Sequence, residues 1–402
     1  MRLLYLAPRF PDPAGKGDQL VVFHRLRVLS RRHEITLVSL YEQGQLGELE
    51  EVRGYCESVE LVPLQPWLAV ARTALRLPLS RDPLQILYYA SGLFRRRVLD
   101  VARSRSFDVV HGFMLRTHPY LPLVEAPAVL DAMDSMQLRM QRNVEVERGP
   151  KKLMFAEELR RLRRFERAIG DDVAALIVVS EQDRPFFEKA NVVVVPNGVD
   201  TDEFAPGGSR EPRTIVFSGI MSYLPNVRAA CWFVDECLPQ IRAAVPDAAF
   251  VIAGRSPTAE VRRLANRDGV TVTGSVESMA EVLGRAAVAV APMLSGAGIQ
   301  TKILEAMACG LPVVTTPIGL GGIGVSAAEE ILVADSARAF ADAVASLLRD
   351  PVRAAVIGGR ARARVLAGYT WERAAAAVEQ TYEEVVRQSR RAEAAAPHSR
   401  AR

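Results

Sequence analysis

The sequence predicts an α/β protein with two doubly wound parallel sheets, and three observations carry that prediction. Short β-branched runs alternate with longer amphipathic stretches from end to end, the order in which crossover helices wrap a parallel sheet. Several of these runs are apolar at every position, as strands covered on both faces are. In a chain of 402 residues, thirteen such runs divide more naturally into two sheets than one.

In the first half the expected strands are residues 2–7, 34–40, 59–64, 107–110, 128–130, 174–179 and 192–195. The second half repeats the scheme at 214–218, 249–253, 270–273, 288–291, 312–315 and 331–333. Residues 139–168 are strongly charged with only a partial helical stripe, and read as a solvated helical hairpin on the first domain. Pro196-Asn197-Gly198 ends a strand in turn-forming residues and Pro206-Gly207-Gly208-Ser209 precedes the next, so the domains are expected to meet at about residue 205. This gives a first domain of 1–205 and a second of 206–368. Helices follow at 336–348, 351–366 and 371–388, and an Ala/Arg-rich end at 391–402 reads as a frayed tail.

Half of the residues are apolar (49%) and a quarter charged (24%), which excludes bulk disorder. The net charge of +4 comes from a basic excess after Pro351, too small and too local for a nucleic-acid binder. Cys56, Cys231, Cys237 and Cys309 show no Cys-x-x-Cys spacing and no nearby histidine, so neither a metal site nor a disulfide framework is expected. The apolar run at Leu3–Ala7 is too short for a signal peptide core, and no run reaches the length of a membrane span. A cytoplasmic protein is expected.

Ligands of open parallel sheets bind beyond the carboxyl ends of the strands. After the first strand comes Pro13-Ala14-Gly15-Lys16-Gly17-Asp18, where Gly15 and Gly17 permit close backbone approach and Asp18 is placed to cap the next helix. A plain turn explains the same residues. The strongest local signal is Ser295-Gly296-Ala297-Gly298-Ile299-Gln300-Thr301-Lys302-Ile303-Leu304-Glu305-Ala306-Met307-Ala308-Cys309-Gly310-Leu311-Pro312, a glycine-rich loop entering a helix that Gly310 and Pro312 stop. Lys302 stands in or beside the first turn, where its charge opposes the helix dipole, and the order Lys before Glu305 is the weaker one for an intrahelical pair. Helix stability is thus a poor reason for one of only five lysines, and a phosphate contact a better one. Glu305, one turn on, is placed to accept from sugar hydroxyls.

The run from Gly298 to Val314 resembles the donor-site signature of the group 1 (family 4) glycosyltransferases, retaining enzymes of the GT-B fold, in which two Rossmann-like domains face each other across a cleft. Further resemblance lies in the Gly15/Gly17 loop, Val195-Pro196-Asn197-Gly198-Val199-Asp200, Phe217-Ser218-Gly219, Gly274-Ser275-Val276 and Tyr369-Thr370-Trp371-Glu372. The last implies a helix, 369–390, that returns to the first domain. By this resemblance Glu305 holds the donor ribose, the backbone at Gly298 and Ile299 meets the diphosphate and sugar, Gly274, Ser275 and Val276 meet the base, and Gly15 to Gly17 cover the phosphates.

The sequence also departs from the pattern. The family's first donor-site glutamate falls on Ala297, and the stretch from Gly219 to Asn226 lacks the usual cations. A desolvated diphosphate needs positive partners; Lys302 is the first candidate and Arg255 the second. Near the reaction centre the resemblance offers His111, with Phe113 where relatives carry their histidine. It also offers Asp134, read either as an acceptor-side residue or as a helix cap, after Met133 in a histidine's place.

The resemblance implies a retaining, metal-independent transferase without a cofactor, moving a sugar from a UDP- or GDP-linked donor to a hydroxyl acceptor. That acceptor would be a glycan, a lipid-linked group or a small molecule, in cell-surface polysaccharide, glycolipid or natural-product glycoside synthesis. A non-catalytic nucleotide-sugar-binding subunit and an epimerase of the same build are the competing readings. Residues 84–99 with Arg95-Arg96-Arg97 read either as a core helix with a solvated edge or as a basic face for peripheral contact with the inner side of the cell membrane.

Overall fold

A computed structural model describes residues 1–13, 15–44, 46–146, 148–295 and 298–395. The chain divides into two units, one of residues 1–196 together with the helix from Trp371, the other Asn197–Thr370. The division falls ahead of residue 205 because the linker is tied to the second unit: Val199 bridges to Thr370, and its N–H donates to the Tyr369 carbonyl (2.9 Å).

Among the described residues the first unit holds seven parallel strands: β1 (Arg2–Ala7), β2 (Glu34–Tyr41), β3 (Ser58–Pro63), β4 (Val109–Phe113), β5 (Ala128–Met133), β6 (Ala175–Val178) and β7 (Val192–Val194). Their order is β3-β2-β1-β4-β5-β6-β7. The second holds six: β8 (Thr214–Ser218), β9 (Ala249–Ala253), β10 (Val270–Gly274), β11 (Val288–Ala291), β12 (Val313–Thr315) and β13 (Leu332–Val333), in the order β10-β9-β8-β11-β12-β13. Each sheet reverses its winding once, between β1 and β4 and between β8 and β11, where open α/β sheets leave room for a ligand.

The alternation of β1 shows why its all-apolar sequence is needed. Leu3 and Tyr5 enter the layer formed with helices Gly17–Leu29 and Trp371–Ala395, while Leu4 and Leu6 enter the opposite layer with Phe94, Val98 and Leu162. The final helix belongs to the first layer: Trp371 stacks on His24 (centroids 4.7 Å apart), and Ala374, Val378 and Tyr382 line the same core. It runs to Ala395, so residues 391–395 of the expected tail are helical. Residues 396–402 lie outside the described residues.

Residues 139–168 divide between two helices, Met136–Val146 and Pro150–Ala168, the second burying Leu159 and Leu162 with Glu158 and Glu166. Residues 84–99 do not present the apolar face that a membrane contact requires. Ile86, Leu87, Tyr89, Phe94 and Val98 are buried, leaving Leu93 outside. Among the described residues no helix is long and apolar enough to cross a membrane.

Candidate functional site

The loops after β8, β9 and β10 are stitched together through their backbones. Gly219 N–H donates to the Ala253 carbonyl (3.0 Å), Met221 N–H to the Arg255 carbonyl (2.9 Å), and Gly254 N–H to the Gly274 carbonyl (3.1 Å). The chain can approach itself this closely because Gly219 and Gly254 sit at φ +147° and +140°, and a Cβ on Gly254 would overlap the Gly219 carbonyl. Gly219, Arg255 and Gly274, three of the expected donor residues, thus share one rim. Ser275 is exposed and Val276 half-buried at its end.

Helix Thr301–Ala308 enters beside this rim. Gly298 takes φ +69° and Ile299 is buried, so the helix starts from a fixed turn; Gly296 and Ala297, where the missing glutamate was placed, lie outside the described residues. Lys302 reaches across to the first turn of the helix that follows β8, Leu224–Trp232. Its Nζ donates to Asn226 Oδ1 (2.5 Å), stands 3.8 Å from Met293 Sδ and lies over the Phe217 ring at 4.9 Å from the centroid. Asn226 is itself fixed, its Nδ2 donating to the Ile220 carbonyl (2.9 Å).

Both titratable groups of this helix are shifted toward neutrality. Burial pulls the Lys302 ammonium down to about 8, against the opposing pull of Glu305. Burial pushes Glu305 up to about 7, opposed by Lys302 and reinforced by Glu203. A pair poised in this way holds an anion well once one arrives, because the ammonium has already lost most of its hydration. The contacts of Asn226, Met293 and Phe217 with Lys302 escaped the sequence reading: Asn226 and Phe217 lie far from it along the chain, and no helical or strand spacing joins any of the three to it.

Gly219 controls the same geometry. A Cβ there would stand 2.8 Å from Asn226 Nδ2 and 3.3 Å from Lys302 Nζ, on a backbone that disfavours L residues. Gly219→Ala is expected to displace the Asn226–Lys302 contact and weaken nucleotide binding at least about tenfold, at a cost of about 1–3 kcal/mol in stability. Unchanged binding in calorimetry with an unchanged melting temperature would remove Gly219 from the site.

The first-unit residues do not gather into one cluster. Gly15 and Gly17 flank Lys16, whose backbone N–H is accepted by Gln19 Oε1 (3.1 Å). Asp18 is not the cap; it lies inside the first helical turn and pairs with Arg9 (2.8 Å). His111 stands in mid β4 with no exposed surface, stacked on Tyr5 (4.3 Å) and hydrogen-bonded through Nδ1 to Tyr382 Oη (2.8 Å). Burial, reinforced by Arg25, holds its pKa well below the ordinary value. A neutral ring enclosed on all sides packs the core, so the structure corrects the catalytic role expected of His111.

Asp134 does not cap the helix that follows; the Ser135 hydroxyl does, accepting from Leu138 N–H (3.2 Å). Asp134 is instead a charge beside two other buried carboxylates. Glu166 accepts from Ser135 Oγ (2.8 Å) and Gln137 N–H (3.0 Å), and Asp183 accepts from Ser135 N–H (2.9 Å). Burial, with Asp134 adding to it, raises Glu166 to about 8 and Asp183 to about 6; Arg142 opposes the second.

Between the ordinary carboxylate value and pH 8 the folded chain therefore holds a proton on Glu166 that the unfolded chain has released. Stability must fall as pH rises through that window. Glu166→Gln should flatten this slope and melt higher than the parent above pH 8. Parallel pH profiles of melting temperature in the two proteins would show that Glu166 is not the group responsible. Among the described residues no group of three or more His, Cys, Asp or Glu side chains is arranged to hold a metal ion.

Residues 212–350 match the family model described as glycosyl transferases group 1. Over 85% of its length the chain is 22% identical to an uncharacterized 44.6 kDa protein of the cps region of Klebsiella pneumoniae, covering 89% of that protein. Over 52% of its length it is 31% identical to a GDP-mannose-dependent alpha-(1-6)-phosphatidylinositol monomannoside mannosyltransferase of Mycobacterium tuberculosis, covering 62% of that enzyme. Among solved structures, sucrose-phosphate synthase from Thermosynechococcus elongatus superposes with a TM-score of 0.72 at 18% identity, over 96% of this chain and 100% of that one. Anabaena HepE in complex with UDP gives 0.65 at 14% identity, again over 96% and 100%.

Proposed function

Because residues 212–350 match the group 1 glycosyltransferase model and the chain shares the fold of solved GT-B enzymes, we propose that it moves a sugar from a nucleotide diphosphate sugar to a hydroxyl acceptor. The observation that carries this reading is the Lys302 ammonium, desolvated and held by Asn226 on the glycine rim formed by the loops after β8, β9 and β10. Lys302 and the amides around Gly298 and Ile299 stabilise the charge that develops on the diphosphate, Glu305 takes the ribose hydroxyls, and the Gly274 loop takes the base. Arg255, on the same rim, is a second cation for the phosphates.

In this reading the bond from the anomeric carbon to the diphosphate oxygen breaks with its electron pair leaving on the phosphate. The acceptor oxygen bonds to the same face, and the acceptor proton passes to the leaving phosphate oxygen, so the configuration is retained and no metal or cofactor is required. UDP and GDP are the expected nucleotides. The acceptor is a glycan or lipid-linked hydroxyl, as the phosphatidylinositol substrates of the relatives suggest, which brings the chain to the membrane periphery.

The test is a panel of UDP-, GDP- and ADP-sugars with lipid and glycan acceptors, product configuration being read by NMR with and without EDTA. Nucleotide released only when an acceptor is present, with a retained anomeric signal, supports the proposal. Release without acceptor points to an epimerase, and nucleotide binding without turnover to a binding subunit. Inversion, or inhibition by EDTA, overturns the mechanism.

A further inference from the structure

Surface helices of globular proteins turn their apolar stripe inward, and helix Pro66–Arg76 does the opposite. Trp67, Leu68, Val70, Ala71, Ala74 and Leu75 recur at i, i+1, i+3, i+4, i+7 and i+8, which places them on one face, and all six are exposed. Ala69, on the other side, is the residue this helix buries. Arg72 also turns toward the protein, donating to the Tyr88 carbonyl (3.5 Å). Trp67 keeps 70% of its surface open, Leu75 76% and Leu79, just beyond the helix, 90%. Apolar side chains this open, grouped within thirteen residues rather than scattered singly, mark a contact surface.

The charges around this face select its partner. From Gln65 to Arg81 the ionisable residues are Arg72, Arg76 and Arg81, and no carboxylate occurs until Asp82. A second copy of the chain meeting this face about a two-fold axis would bring arginine toward arginine. An anionic bilayer meets both demands at once: the apolar face enters the boundary between headgroups and acyl chains, the indole sits at the level tryptophan favours, and the exposed Arg76 and Arg81 meet lipid phosphates.

We propose that helix Pro66–Arg76 and the following turn to Leu79 form an interfacial anchor for an anionic membrane. The proposal deepens the membrane-peripheral reading given above by naming the surface, and its test does not pass through the donor site.

The full chain is mixed with vesicles of phosphatidylglycerol and phosphatidylcholine, or of phosphatidylcholine alone, and followed by flotation and tryptophan emission. Trp371 is buried and Trp232 half-buried, so a blue shift on binding reports Trp67 and should vanish in Trp67→Phe. Leu75→Glu with Leu79→Glu should lower partitioning into the mixed vesicles at least about tenfold. Arg76→Ser with Arg81→Ser should remove the preference for them over phosphatidylcholine. All four positions are exposed, so nucleotide binding and melting temperature should be unchanged.

Absence of flotation overturns the proposal. So does flotation that the paired glutamates leave intact, which places the contact elsewhere. A dimer that the glutamates convert to monomer, without vesicle binding by the parent, assigns the face to a second copy instead. Failure to bind any nucleotide, with vesicle binding intact, would sink the donor-site reading alone.

Discussion

Lys302→Ala is expected to weaken binding of UDP or GDP by about a hundredfold or more, the scale set by losing a charge-assisted contact in a desolvated site. Removing the ammonium also strips Glu305 of the neighbour that restrains its upward shift, so the remaining carboxyl becomes harder to ionise. The pH dependence has a definite sign. With Lys302 pulled down to about 8, the free protein loses its cation as pH rises through that value, and affinity for the diphosphate falls. With Glu305 raised to about 7, a fall in pH protonates the carboxylate proposed to accept from the ribose, and affinity is expected to fall again. The profile of kcat/KM, which reports the free enzyme, should therefore be a bell between these values, and Lys302→Ala should lack the alkaline limb. Calorimetry at pH 7.5 that finds equal affinity in parent and variant would remove Lys302 from the site, whatever the profile.

The largest loss of stability is expected in the first unit. Arg25 and Asp131 form an ion pair with no exposed surface on either side chain, linking helix Gly17–Leu29 to β5 close to Tyr5 and Tyr382. Asp131 Oδ1 also accepts from Met133 N–H (3.0 Å), at a residue held at φ +63°. Arg25→Met leaves that carboxylate buried without its cation, which costs about 3–5 kcal/mol. Replacing both, Arg25→Met with Asp131→Leu, should recover much of the loss, since no stranded charge remains. The check is urea unfolding of the parent and both variants. A double variant as unstable as the single one would show that the pair contributes through geometry rather than charge.

The strands were readable because a strand covered on both faces leaves an uninterrupted apolar run, and glycine or proline marks its end. Each of the thirteen expected runs forms a strand, and Lys302 stood out because its charge runs against its own helix. The contacts that finish the site were not readable. Asn226 meets Lys302 from the first turn of another helix, and nothing in the sequence near either one records the other. His111 carried the reverse error: a histidine after a run of strand residues resembles a loop residue until β4 is seen to extend through it to Phe113. Residues 84–99 misled for a related reason. An apolar stripe fixes that a helix has two faces, but whether the protein or something else covers the stripe depends on the neighbouring elements. Here it is helix Pro66–Arg76 that leaves its stripe uncovered.

The helix from Trp371 supplies part of the core on which Tyr5, Val22 and Leu26 depend, and Tyr382 is the partner of His111. On the ribosome, the opening two hundred residues therefore emerge without a wall of their own core, and the whole second unit is synthesised before that wall exists. The second unit, continuous from Asn197 to Thr370, is complete first and can fold as the chain emerges, while the unit begun earliest must wait until the helix from Trp371 has been made. A premature stop between Thr370 and Tyr382 would thus leave an intact second unit attached to a half that cannot close, a product destined for proteolysis rather than for partial activity.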